Sequence, residues 1–191
     1  MSDAWGTFPA RMGDHQAFIS FNHGFAEIAE GDPRTSPLSV RVPFAHPSPE
    51  GLPTGDEFAD LAKIEDLLDA AIVAKGGVQV GRITVDGNRD FLFYVPFDEE
   101  AAAEIVDSLA DQTTYALQYA HQDDPDKTTY WQTLYPTDDD WQIMRDMRTL
   151  DALRQQGDAP DVIRREMHWA YFPDPSDAHQ FAARAEATGE S

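Results

Sequence analysis

Val78-Gln79-Val80-Gly81-Arg82-Ile83-Thr84-Val85-Asp86-Gly87-Asn88-Arg89-Asp90-Phe91-Leu92-Phe93-Tyr94-Val95 is the stretch on which the fold turns. Two runs rich in β-branched and aromatic residues flank Asp86-Gly87, a pair that tolerates the positive φ angles of a tight turn. The stretch therefore reads as an antiparallel hairpin, residues 78–85 against residues 89–95. Val78 and Val80 share one parity, and Ile83 and Val85 share the other. A strand changes face only by inserting a residue, so the slip predicts a β-bulge at Gly81.

Working upstream, Phe58, Leu61, Ile64, Leu68 and Ile72 recur at helical spacing and predict a helix over about 56–75, stopped by Gly76-Gly77. Residues 46–55 hold three prolines and two glycines and read as loop. Leu38, Val40, Val42 and Phe44 alternate, which marks a strand with one buried face. Gly31-Asp32-Pro33-Arg34 is turn chemistry. Residues 16–28 read as the first strand, and residues 5–14 as a lead-in loop.

Downstream, Asp98 is placed to cap a helix whose first turn carries Glu99 and Glu100 and whose apolar face is Ala102, Ile105, Val106 and Leu109. Tyr115, Leu117 and Tyr119 alternate as a strand, followed by an acidic loop and by an apolar run around Tyr130, Trp131, Leu134 and Tyr135, a candidate further strand. Thr137 and Asp140 have capping-box spacing, and Ile143, Met147, Leu150 and Leu153 continue that helix to Gly157. Residues 164–172 read as an aromatic strand, and Ser176 as the cap of a last helix through Phe181 to Gly189. The order β-β-α-β-β-α-β predicts an α+β two-layer sandwich, a mostly antiparallel sheet with helices on one face. Two parts are expected: an α+β domain over 1–147 and a tail over 148–191.

The charge narrows the function. Thirty-five acidic residues face 14 basic ones, for a formal net charge of −21 over 191 residues. Such a surface repels phosphate backbones, which argues against direct nucleic-acid binding, and it speeds encounter with a basic partner. There are no cysteines, so disulfides and thiolate chemistry are excluded. No stretch approaches the apolar length of a membrane helix, and residues 1–10 lack the basic start of a targeting segment, so a cytoplasmic location is expected.

Catalytic and metal motifs are missing from the sequence. Gly76-Gly77 stands between a helix and a strand, the reverse of a phosphate-binding loop, and there is no Gly-x-Ser-x-Gly elbow. The six histidines are scattered without metal-ligand spacing. His121 with Asp123, Asp124 and Asp126 lacks the glycine and distal glutamate of a calcium loop and reads as a solvated acidic turn. No catalytic residue, cofactor or metal is expected. Arg82, Arg89 and Tyr94 are candidates to hold a small anion, against the competing reading that the arginines pair with Glu65 or nearby aspartates. The many aromatics, Trp131, Trp141, Trp169 and Tyr171 among them, read mainly as core.

Two stretches resemble known families. Gly51-Leu52-Pro53, Ile64-Glu65-Asp66, Val80-Gly81-Arg82, the run from Arg89 to Tyr94, and Trp131 with Leu134-Tyr135-Pro136 resemble a bacterial domain family of unknown function, over about residues 5–147. Leu153, Gly157-Asp158, Arg165, His168-Trp169, Tyr171-Phe172 and Phe181 resemble the start of the ribonuclease E inhibitor family, the type B regulators of RNase activity, over about residues 147–189. That second resemblance implies ferredoxin-like elements and binding to ribonuclease E. It covers about half of such a domain, because a ferredoxin-like module needs a second β-α-β half. The alternative is that residues 164–172 complete the first domain's sheet as an edge strand.

The functional expectation is a non-enzymatic acidic regulator that binds a protein, with ribonuclease E or a basic segment of it as partner. Its expected contacts are Asp123, Asp124, Asp126, Asp138, Asp139 and Asp140, with Trp169 and Tyr171 as anchors. The rival expectations are a small-anion or enzymatic site at Arg82, Arg89 and Tyr94, and a scaffold that forms a homodimer by strand addition.

Overall fold

A computed structural model describes residues 5–55, 57–157 and 169–188. In chain order the elements are β1 (Trp5–Met12), β2 (His15–Asn22), β3 (Ser36–Pro43), α1 (Glu57–Ala74), β4 (Val78–Val85), β5 (Asn88–Val95), α2 (Glu99–Ala110), β6 (Gln118–His121), α3 (Asp138–Gln155) and α4 (Pro175–Thr188). The chain divides into two compact units, Met1–Thr149 and Leu150–Ser191.

The hairpin forms as its sequence requires. Asp86 and Gly87 take φ angles of 48° and 74°, and Val85 pairs with Asn88 across the turn. The register slips between Gln79 and Gly81, so the bulge lies where the parity changes. It turns Gln79, Arg82 and Thr84 towards α1, while Val80 and Ile83 enter the opposite core. A side chain at position 81 would not fit. A Cβ there would stand 2.6 Å from Leu134 Cδ1 and 2.9 Å from the Ser20 carbonyl.

The hairpin organises one six-stranded sheet of order β1-β2-β4-β5-β3-β6, antiparallel throughout. From β3 onward the order β-α-β-β-α-β with spatial order β4-β5-β3-β6 is the ferredoxin-like arrangement. The β1–β2 hairpin extends that sheet along the free edge of β4. The α+β class and the antiparallel sheet therefore hold.

Each face of the sheet has its own core. On one, Leu61, Ile64, Leu68 and Ile72 of α1 and Ala102, Ile105, Val106 and Leu109 of α2 cover Val40, Val42, Phe91 and Phe93. Asp98 caps α2 through the Ala101 N–H, as expected. On the other, Phe25, Tyr130, Leu134 and Met144 cover Phe8, Ile19, Phe21, Val80 and Tyr94. This second cover comes from short turns and the first half of α3.

Several sequence expectations are corrected. Residues 5–12 are a strand, not a loop: Gly6 and Ala10 hide an alternation that only Phe8 displays, and Pro9 is tolerated because β1 is an edge. The strand expected over 16–28 ends at Asn22, whose side chain accepts the Gly24 N–H and starts a 3-10 turn, His23–Glu27. The strand expected around Tyr115 lies later, at Gln118–His121. The apolar run Tyr130–Leu134 is a π turn rather than a strand. Ser176 does not cap α4; Asp174 does, accepting the Ser176 N–H at 2.7 Å with Pro175 as first helical residue. The aromatic strand expected over 164–172 lies partly outside the described residues, and its described part, 169–172, forms no strand.

Candidate functional site

On the α1 side of the sheet, Glu65 accepts from Arg82 Nη1 at 2.6 Å and from Gln79 Nε2 at 2.8 Å, which pins the helix to the bulged strand. Arg82 is thereby matched by a carboxylate. Arg89 is not: its Nε donates to Thr84 Oγ1 at 3.0 Å, and among the described residues no carboxylate forms an ion pair with it. Burial and then the neighbouring Arg82 push its guanidinium down to about 10, against the attraction of Glu65 and Glu57. Glu57 is buried, its Oε1 accepting the Ala45 N–H at 2.6 Å.

Tyr94 does not join the arginines. It stands an odd number of residues from Arg89 on the same strand and faces the opposite core. Its hydroxyl donates to Asp124 Oδ2 at 2.7 Å. Burial first, and then the Asp124 carboxylate, push the Tyr94 hydroxyl far above the usual tyrosine range. The expected trio of Arg82, Arg89 and Tyr94 is thus split by the sheet.

Asp124 belongs to the interior too. It accepts the Thr128 and Thr129 N–H groups, each at 2.8 Å, beside the Tyr94 hydroxyl. Burial alone would raise its pKa, but these donors outweigh burial and hold it at about 2. Lys127, 2% exposed and at a φ of 56°, donates to the Arg34 carbonyl and lies over the Tyr94 ring, 5.0 Å from its centroid. Arg34 in turn pairs with Asp32. The middle of the acidic loop is therefore a buried polar network that ties the loop to β5 and to the segment before β3.

The other acidic candidates divide. Asp123 and Asp126 are exposed, as are Asp138 and Asp139. Asp140 is used locally, accepting from the Thr137 N–H and hydroxyl in the expected capping box. Trp169 and Tyr171 are exposed within the second unit. Trp131, like Trp169 and Tyr171, reads from the sequence mainly as core and lies outside it. It is 40% exposed on the π turn, packed edge-on against Tyr135 at 4.9 Å. It follows Asp123 and Asp126 and precedes Asp138 and Asp139. Its signal was available in the helical phase: Tyr130 and Leu134 point inward together, which turns Trp131 away from them.

Among the described residues, no group of three or more histidines, aspartates and glutamates is gathered to hold a metal ion. His121 instead faces the Phe97 carbonyl at 3.0 Å. No helix among the described residues is long and apolar enough to cross a membrane. One surface hollow lies at the strand ends, lined by His15, Pro47, Glu50 and Asp86, and another is lined by Ser39, Arg41, Asp90 and Tyr119. In the second, Arg41 is already held by Asp90 through two hydrogen bonds, of 2.7 and 2.8 Å.

These features define the first unit as an acidic α+β domain of ferredoxin-like topology, extended by an N-terminal hairpin and carrying an exposed tryptophan between acidic turns. The chain belongs to a family of unknown function, DUF695, whose model matches residues 3–135. The match takes in the sheet, α1, α2 and the π turn, and ends before α3. Neither the curated proteins nor the solved structures gave a match to this chain.

Proposed function

We propose that this protein is a non-enzymatic acidic regulator that works by binding a basic segment of another protein. The observation that carries this reading is Trp131, an exposed tryptophan that stands in the chain between two pairs of exposed aspartates, Asp123 with Asp126 and Asp138 with Asp139. Arginine-rich chain suits such a surface, since a guanidinium can stack on an indole and pair with carboxylates at once. The likeness of residues 147–189 to ribonuclease E inhibitors makes the arginine-rich part of that nuclease the partner to test, with Trp169 and Tyr171 as further anchors.

The test is binding of that segment at low and moderate salt, with RNA cleavage followed beside it. Affinity that falls steeply with salt, and falls again in Trp131→Ala and in the Asp138→Asn/Asp139→Asn pair, supports the reading. Absence of binding at low salt sinks it. A second reading rests on Arg89, which forms no ion pair among the described residues and so suits a small anion. It requires that inorganic phosphate raise the melting temperature more than chloride at equal ionic strength, and that Arg89→Gln abolish the difference.

A further inference from the structure

On α3, Trp141 and Met144 turn into the domain: Trp141 packs against Phe21 and Tyr135, and Met144 is buried. A neighbouring face of the same helix carries Ile143, Met147, Leu150 and Leu153, each between 39% and 47% exposed. Ile143, Met147, Leu150 and Arg154 follow one another in steps of four, three and four, the seam of a two-helix coiled coil, with the Arg154 stem able to cover apolar surface and Leu153 beside it.

Charge along α3 is divided. Asp138, Asp139 and Asp140 fill the first turn, whereas from Ile143 onward the arginines Arg145, Arg148 and Arg154 outnumber the aspartates Asp146 and Asp151. In a chain of net charge −21 a second copy is repelled almost everywhere. The arginine-bearing part of α3 is where that repulsion is relieved and where the apolar seam lies. Antiparallel pairing centred on Met147 would set each copy's acidic first turn beside the other's Arg154, and a twofold axis gives that arrangement twice. Parallel pairing would set aspartate against aspartate.

We infer that α3 is a self-association helix, joining two copies of this chain through an antiparallel seam of Ile143, Met147 and Leu150. A single helix pair is a small interface, so the dimer is a weak one, in the micromolar range. This inference stands apart from the Trp131 surface and survives if no basic partner binds there.

Sedimentation equilibrium of the full chain tests it. The average mass should climb with concentration from 21.3 kDa towards twice that value. Leu150→Glu should hold the protein at the single-chain mass with its circular dichroism unchanged. Asp139→Arg should weaken the dimer by about tenfold, and adding Arg154→Asp to it should bring the dimer back. A wild-type chain of 21.3 kDa throughout, or a dimer indifferent to Leu150→Glu, overturns the inference. A charge swap that brings nothing back overturns the antiparallel arrangement.

Discussion

Asp124 shows how little a residue's type says about its task. In the sequence it is one of three aspartates in a polar loop; in the fold it is the acceptor on which Tyr94 and two backbone N–H groups converge. Its folded pKa of about 2 lies below the ordinary value of 3.8, so its contribution to stability is complete above that ordinary value and is lost as pH falls towards 2. The shift corresponds to about 2 kcal/mol. Asp124→Asn should therefore lower the urea unfolding free energy at neutral pH by about 2 kcal/mol, and the loss of stability between pH 4 and pH 2 should be shallower in the variant. Equal acid sensitivity in both proteins would place the titrating group elsewhere. The Glu65–Arg82 pair was legible because a carboxylate near an apolar helical stripe needs a nearby cation. Lys127 was not, because its burial depends on Tyr94 and Arg34, which are distant in sequence.

Elements were legible where one periodicity ran unbroken. The hairpin, its bulge, α1 and α2 came through because turn chemistry and apolar spacing agreed. The failure at β1 has a physical cause: Gly6, Pro9 and Ala10 carry almost no β signal, and the strand exists because β2 offers it a ladder over eight residue pairs. The bulge also carries an expectation of its own. Gly81 brings β4 against the π turn, so Gly81→Ala drives a methyl into Leu134 and towards the Ser20 carbonyl. It should cost about 2 kcal/mol of stability, measured by urea unfolding. Adding Leu134→Ala should not simply double the loss, because the second change removes the clashing atoms. Strict additivity of the two losses would mean that the contact does not limit the packing.

At the scale of the whole molecule, the two cores and the net charge work against each other. Among the described residues, every hydrophobic side chain buried in the core lies between Phe8 and Met144, inside the first unit. A chain ending at Thr149 should therefore unfold in one cooperative transition within about 1 kcal/mol of the full protein. A loss of cooperativity would show that residues 150–191 complete the domain. The surface around those cores carries far more negative than positive charge, and compact folding crowds that charge together. Screening should relieve the crowding more in the folded state than in the expanded one. Adding sodium chloride up to about 0.5 M, where the Debye length falls to a few ångströms, should raise the urea midpoint while leaving the slope unchanged. The measurement is a set of unfolding curves at fixed pH. A midpoint that fell with salt would mean that ion pairs such as Glu65–Arg82 and Asp32–Arg34 contribute more than the repulsion takes away. The acidic surface would then be held in place by its few cations rather than tolerated in spite of its many anions.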